Sequence, residues 1–218
     1  MANTFAPNGF QQYRGLGAVP TYEQTPALIA AGNTTAIFQG DAVVPVTGSA
    51  TGYIKQATAS TVAILGIFWG CKYFSTSQKR TVWNAYWPGS DATGDVEAYI
   101  ISDPAAQFLV QTGNSNTTAT AILQAKVGQL INLATAVDNA TGKGGSAGNT
   151  ANGQSTMYID QYTIGTPATL PFQIRGVLKS PDTPTGFNGA DLTTPYNKII
   201  VGFNNALYQG GGARTGIS

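Results

Sequence analysis

Three carboxylates lie close together in this 218-residue chain: Asp91, Asp95 and Glu97. If Asp95 and Glu97 lie on one strand they share a face, with Cα atoms roughly 6.5–7 Å apart. Two carboxylates at such a spacing can act as acid and nucleophile on a glycosidic bond, or supply oxygen ligands to a cation. Gly94-Asp95 also reads as a turn leading into a strand, which makes the group a solvated strand start, and that is the preferred reading. Cys71 is the single thiol and sits in the apolar run Val62–Phe74, where it reads as buried and inert. Gly142-Lys143-Gly144-Gly145-Ser146 has the glycines of a phosphate loop. Position 137 is Val rather than the leading glycine, so the segment reads as a flexible loop.

What is missing weighs as much. The chain has no histidine, its only glutamates are Glu23 and Glu97, and charged residues make up 10%. Histidine is the side chain suited to proton transfer near neutral pH, so the usual serine and cysteine nucleophile systems and imidazole metal sites are excluded. The expectation is a protein that is not an enzyme and uses no cofactor or metal. A formal net charge of +1, with Lys79-Arg80 the only adjacent basic pair, gives no field to draw nucleic acid or an anionic membrane. The longest apolar stretch, Val62 to Gly70, is far shorter than the ~20 residues a membrane helix needs. No secretion signal opens the chain, and it reads as made in a reducing cytoplasm.

The elements that would position these residues are strands. Ala42–Val46 carries Pro45 and reads as an edge strand. Gly52–Ala57, Thr61–Phe74, Thr81–Trp87, Asp95–Ser102 and Ala106–Gln111 follow at short spacing, punctuated by Gly and Pro. In Asp95–Ser102 the alternation turns Val96, Ala98 and Ile100 one way and Glu97, Tyr99 and Ile101 the other. Residues 113–125 can start one short helix, with Asn116 or Thr117 as its cap. Strands resume at Lys126–Leu133, Ser155–Asp160, Pro171–Lys179 and Tyr196–Phe203, with a long Gly/Asn-rich loop at 138–153 and a Pro/Asp/Gly/Thr loop at 180–195. The fold class is mainly β: a barrel or sandwich of residues 36–208, divisible into two small subdomains near 112–125, with a flexible tail over 209–218.

Residues 1–35 contain Pro7, Pro20 and Pro26 and no sustained period. They read as an extended arm whose aromatics, Phe5, Phe10, Tyr13 and Tyr22, are too costly to leave in water and are buried against a neighbouring subunit. Trp83, Trp87, Tyr86 and Tyr99 read as core or subunit contacts. Their alternative use is a stacking platform for sugars.

Three stretches carry a resemblance. One runs Gly40-Asp41-Ala42-Val43, a Gly48 turn, Tyr53 to Ala57, then Leu65-Gly66-Ile67-Phe68. Another holds Trp87-Pro88-Gly89, Gly94-Asp95-Val96, Asp103-Pro104 and Gln107 to Gln111. The last joins Gly153 to Asp160, Leu170 to Val177 and Ile199 to Asn204. Together, over residues 35–205, they resemble the small head proteins of tailed bacteriophages, the capsid decoration or cement proteins. The resemblance implies a non-enzymatic virion protein on the capsid exterior, made in the host cytoplasm. Its implied partners are the major capsid protein and itself, as a homotrimer. Phe5, Phe10, Tyr13, Tyr22, Trp83 and Trp87 are the expected contact residues. A carbohydrate-binding or tail-associated adhesion module is the alternative.

Overall fold

The computed structural model describes residues 2–15, 20, 23–48, 51–179 and 188–207. Fourteen strands are found among them: β1 (Gln11–Arg14), β2 (Thr25–Ile29), β3 (Ala42–Pro45), β4 (Ile54–Gln56), β5 (Gly66–Ser75), β6 (Arg80–Asn84), β7 (Val96–Ile101), β8 (Gln107–Gly113), β9 (Leu130–Ala134), β10 (Gly145–Asn149), β11 (Gln154–Thr156), β12 (Tyr158–Gly165), β13 (Phe172–Val177) and β14 (Lys198–Phe203).

They form two bodies. In the first, β8, β12, β9, β13 and β14 are hydrogen-bonded in that order, and β14 returns to β8, closing a five-stranded barrel. Its interior holds Phe108, Val110, Ile131, Leu133, Ile159, Phe172, Ile174, Ile199, Val201 and Phe203, all buried. Strand β1 lies outside the closed ring, antiparallel to the first half of β8. The second body is the sheet β2-β7-β5-β3-β4, with β6 added along the far half of β5. A parallel bridge between Leu28 and Tyr53 joins its two ends. The inner residues Val43, Phe68, Cys71, Tyr73, Val96, Ala98 and Ile100 form its core with Trp87 and Ile37. The alternation expected for Asp95–Ser102 therefore holds: one parity of β7 lines this core. The other parity turns outward, and Ile101 joins Ile67, Ala42 and Val44 in the core shared with the barrel. Strand β3 is not the edge strand expected from Pro45 but lies between β5 and β4; Pro45 is tolerated because it stands beyond the β5 contacts at Ala42 and Val43, where its missing N–H leaves no ladder bond unmade.

The N-terminal segment is not an arm that waits for a partner. Phe5 and Phe10 are buried within their own chain. Phe10 stacks on Phe172 at 4.7 Å, and Phe5 meets the edge of Tyr158 at 5.3 Å. Polar bonds hold the backbone around them. Asn3 Nδ2 donates to the Asp191 carbonyl (2.7 Å), Thr4 N to Asn188 Oδ1 (2.7 Å) and Ala6 N to Gln111 Oε1 (2.9 Å). The aromatics needed a core, as their burial cost implied, and the barrel of the same chain supplies it.

Two further expectations need correcting. Residues 113–123 form no helix. Asn114 Oδ1 accepts from the amides of Asn116 and Thr117, and only a single 3-10 turn, Gln124–Lys126, follows. These bonds could have capped a helix, but the next amides go elsewhere: Thr120 N donates to Gln161 Oε1 and Ile122 N to Asn197 Oδ1 (both 2.9 Å). The loop 138–153 is likewise built rather than loose. Asp138 fixes the turn by accepting from Thr141 N and Oγ1 (both 2.9 Å), and β10 and β11 form a hairpin. That hairpin seats on the body because Gly148 (φ +62°) lies flat on the ring of Phe38. Tyr22, residues 180–187 and the tail 209–218 lie outside the described residues.

Candidate functional site

The three carboxylates do not converge. Asp91 closes the β5–β6 turn: it accepts from Ser75 Oγ (2.7 Å), Thr76 Oγ1 (3.0 Å) and Ser77 N (3.0 Å). These bonds, the Ser75 hydroxyl first, pull its pKa down to about 2. Asp95 accepts from the Tyr53 hydroxyl at 2.7 Å. Glu97 pairs with Lys72 at 3.7 Å. Each carboxylate is thus committed to a different structural neighbour, and the pair geometry of a glycosidase is not formed. Among the described residues no group of three or more acidic or cysteine side chains could hold a metal ion.

Cys71 faces the second core, and burial pushes its thiol up to about 12. Lys79 (φ +56°) and Arg80 make the tight β5–β6 turn, with Arg80 Nη2 donating to Gln78 Oε1 at 2.9 Å. Lys143 lies exposed at the Asp138 turn, where its carbonyl accepts from Asp138 N (2.8 Å). This arrangement cradles the turn's own backbone rather than a phosphate.

The aromatic candidates divide sharply. Trp87 is fully buried, meets Tyr73 edge-on at 5.1 Å, and donates from Nε1 to the Asn33 carbonyl at 3.2 Å. Tyr86 stacks on Phe38 at 5.2 Å. Those two, with Phe5 and Phe10, are used up inside the chain. Trp83 and Tyr13 are not: they are 68% and 40% exposed. Tyr13 lies where the β1–β8 register slips between Gln12 and Arg14, a bulge that turns it outward. The Arg14 guanidinium lies 5.8 Å from the Tyr13 ring, and its Nε donates to Gln107 Oε1 at 2.8 Å.

Trp83 belongs to the outer face of the second sheet. Registers align Leu28 with Glu97, Glu97 with Lys72, and Lys72 with Trp83, so one row crosses four strands. The Trp83 ring stacks on Tyr99 at 5.4 Å and 11°, and Lys72 Nζ lies 5.2 Å from its centroid. Beside this pair the β5–β7 register slips between Phe68 and Gly70, and the intervening Trp69 lies at the boundary with the barrel core. A cleft of about 270 Å³ opens here, lined by Trp69, Gly70, Trp83, Tyr99, Gln24 and Asn84. Gly70 forms part of its floor because the Asn84 carbonyl comes within 3.1 Å of where a Cβ would stand. Trp69 was missed as a site residue: inside an apolar run its side cannot be assigned until the bulge is known.

Asp41 was also missed. It is fully buried beneath the β10–β11 hairpin. Its Oδ2 accepts from Phe38 N (2.8 Å) and Gln56 Nε2 (2.7 Å), and Gln56 also donates to the Ser146 carbonyl of the hairpin (3.0 Å). Burial raises its pKa to about 6. The Phe38 amide, the Ser155 hydroxyl and the Gln56 amide pull the other way. Oδ1 has no hydrogen-bond partner, so Ser155 eases the charge from nearby without a well-formed bond. Nothing in the sequence around Gly40-Asp41 marks the carboxyl as buried. Among the described residues no helix is long and apolar enough to cross a membrane. Comparison with protein-family models, curated proteins and solved structures gives no match.

Proposed function

We propose that this chain is a structural protein of a tailed-phage virion that docks on the outer capsid surface and stabilises the shell without catalysing a reaction. The observation that carries the reading is the Tyr13–Arg14 knuckle on β1. Strand β1 stands outside the closed barrel ring, and its bulge turns a half-exposed tyrosine outward beside an arginine anchored to Gln107. Tyrosine and arginine are the residue types that dominate protein interfaces. A rigid closed barrel is a suitable mount for them, since little ordering entropy is then lost on docking. The partner is the major capsid protein, and the docking form is a homotrimer. A protein that binds the expanded lattice and not its precursor stabilises the expanded form by mass action.

The test is co-sedimentation with capsids stripped of this protein. Tyr13→Ala weakens capsid binding about tenfold or more, at the ~2 kcal/mol scale of an interface hot spot. It leaves the unfolding midpoint within about 0.5 kcal/mol of wild type, as for a surface substitution. Unchanged binding by Tyr13→Ala would remove β1 as the contact.

A further inference from the structure

We propose that the cleft between Trp69 and Trp83 is a binding site for a neutral pyranose ring, distinct from the capsid contact at β1. A sugar ring has one face of C–H groups and a rim of hydroxyls, and it needs a flat apolar plane with hydrogen-bonding groups around it. Trp83 offers that plane. Its ring is 68% exposed, and stacking on Tyr99 at 5.4 Å with Lys72 at 5.2 Å fixes its orientation before any ligand arrives. Preorganisation of this kind lowers the entropy cost of binding. Trp69 also lines the cleft, and Gly70 adds no side chain to fill it.

The polar rim suits hydroxyls. Gln24 brings an amide that can both donate and accept, and the Tyr99 hydroxyl, whose proton goes to the Glu97 carboxylate, can accept. Charge complementarity selects the ligand class. Lys72 and Glu97, the charged groups in the register row beside the cleft, are paired at 3.7 Å. Among the described residues the cleft therefore presents no unpaired charge to hold an acidic sugar or a phosphate. Size sets the length: 270 Å³ is below the roughly 300–1,000 Å³ of drug-sized ligand pockets, which fits one ring with its neighbours in solvent. A folded protein partner is the competing occupant. It would have to fill a recess floored by glycine backbone, where a flat disc fits better than a side-chain row.

The three tryptophans make the experiment specific. The full chain, labelled with ¹⁵N, shows three indole N–H signals, one each for Trp69, Trp83 and Trp87. Glucose, galactose, mannose and N-acetylglucosamine are titrated separately from roughly 0.1 to 100 mM, bracketing a millimolar affinity. At least one sugar shifts the Trp83 and Trp69 signals saturably. Trp87, buried with its N–H on the Asn33 carbonyl, stays fixed. Trp83→Ala weakens that response at least tenfold, and Trp83→Phe retains part of it. Because Trp83 is exposed, the Trp87 signal in both variants reports an intact fold. Three outcomes overturn the proposal: no saturable shift with any of the four sugars, an undiminished response in Trp83→Ala, or a Trp83 signal shielded by self-association. None of them bears on capsid binding through Tyr13, which is read separately.

Discussion

Replacing Asp41 by Asn should flatten the pH dependence of stability. The carboxyl is buried, and no charged side chain offsets the burial that raises its pKa from 3.8 to about 6. The folded protein therefore holds this proton more tightly than the unfolded chain does. Between pH 3.8 and 6 the unfolded state releases its proton first, so stability falls as pH rises through that window and is level above it. The whole effect is roughly 3 kcal/mol, at 1.36 kcal/mol per unit. Of this, about 2 kcal/mol falls between pH 4.5 and 7.5. In Asp41→Asn the new carboxamide oxygen would still accept from Phe38 N and Gln56 Nε2, but an NH₂ would replace the unpartnered Oδ1. That donor costs about 1–3 kcal/mol at every pH. The variant is therefore expected to be less stable than wild type at pH 4.5 and equal to it or better at pH 7.5. Urea unfolding at the two pH values measures both. A wild-type stability that rises from pH 4.5 to 7.5, or a variant that keeps the wild-type slope, would refute the reasoning.

Cys71 should resist a thiol reagent such as dithionitrobenzoate in the native protein and react fully in denaturant, because its thiol is buried and held up to about 12. Gly148→Ala should cost about 3 kcal/mol, combining overpacking with left-handed strain, since a Cβ there would stand 2.1 Å from Phe38 Cδ2; thermal unfolding reads it. Phe10→Ala should cost about 3–5 kcal/mol in the same assay, whereas an aromatic on a free arm would cost nothing.

The sheet architecture was legible where strand chemistry is strong. Val, Ile and aromatic residues in alternation located β5, β7, β8, β13 and β14, and the parity of Asp95–Ser102 assigned both faces of β7. Elements without that chemistry were invisible. Strand β1 is Gln-Gln-Tyr-Arg and β10 is Gly-Ser-Ala-Gly-Asn. Neither has the β-branched residues that mark a strand, and both exist because a neighbour pairs with them. The N-terminal aromatics were recognised as needing burial, but sequence cannot say whose core receives them. The cleft was half legible. Trp83 and Tyr99 were read with Tyr86 and Trp87 as core or subunit contacts, a sugar platform being the alternative, and Trp69 joined them only through a bulge. Trp87, four residues after Trp83, went to the core because the chain leaves the β6 ladder after Asn84, so strand parity no longer sets its side.

Electron cryomicroscopy of phage particles that incorporate this chain is the decisive test of the proposed capsid docking. Docking as proposed gives repeated density on the outer shell that fits the closed barrel and second sheet, in groups of three, with β1 and Tyr13 against the major capsid protein. Density for this chain in the tail alone, or shells that are complete and equally stable without it, would rule that docking out.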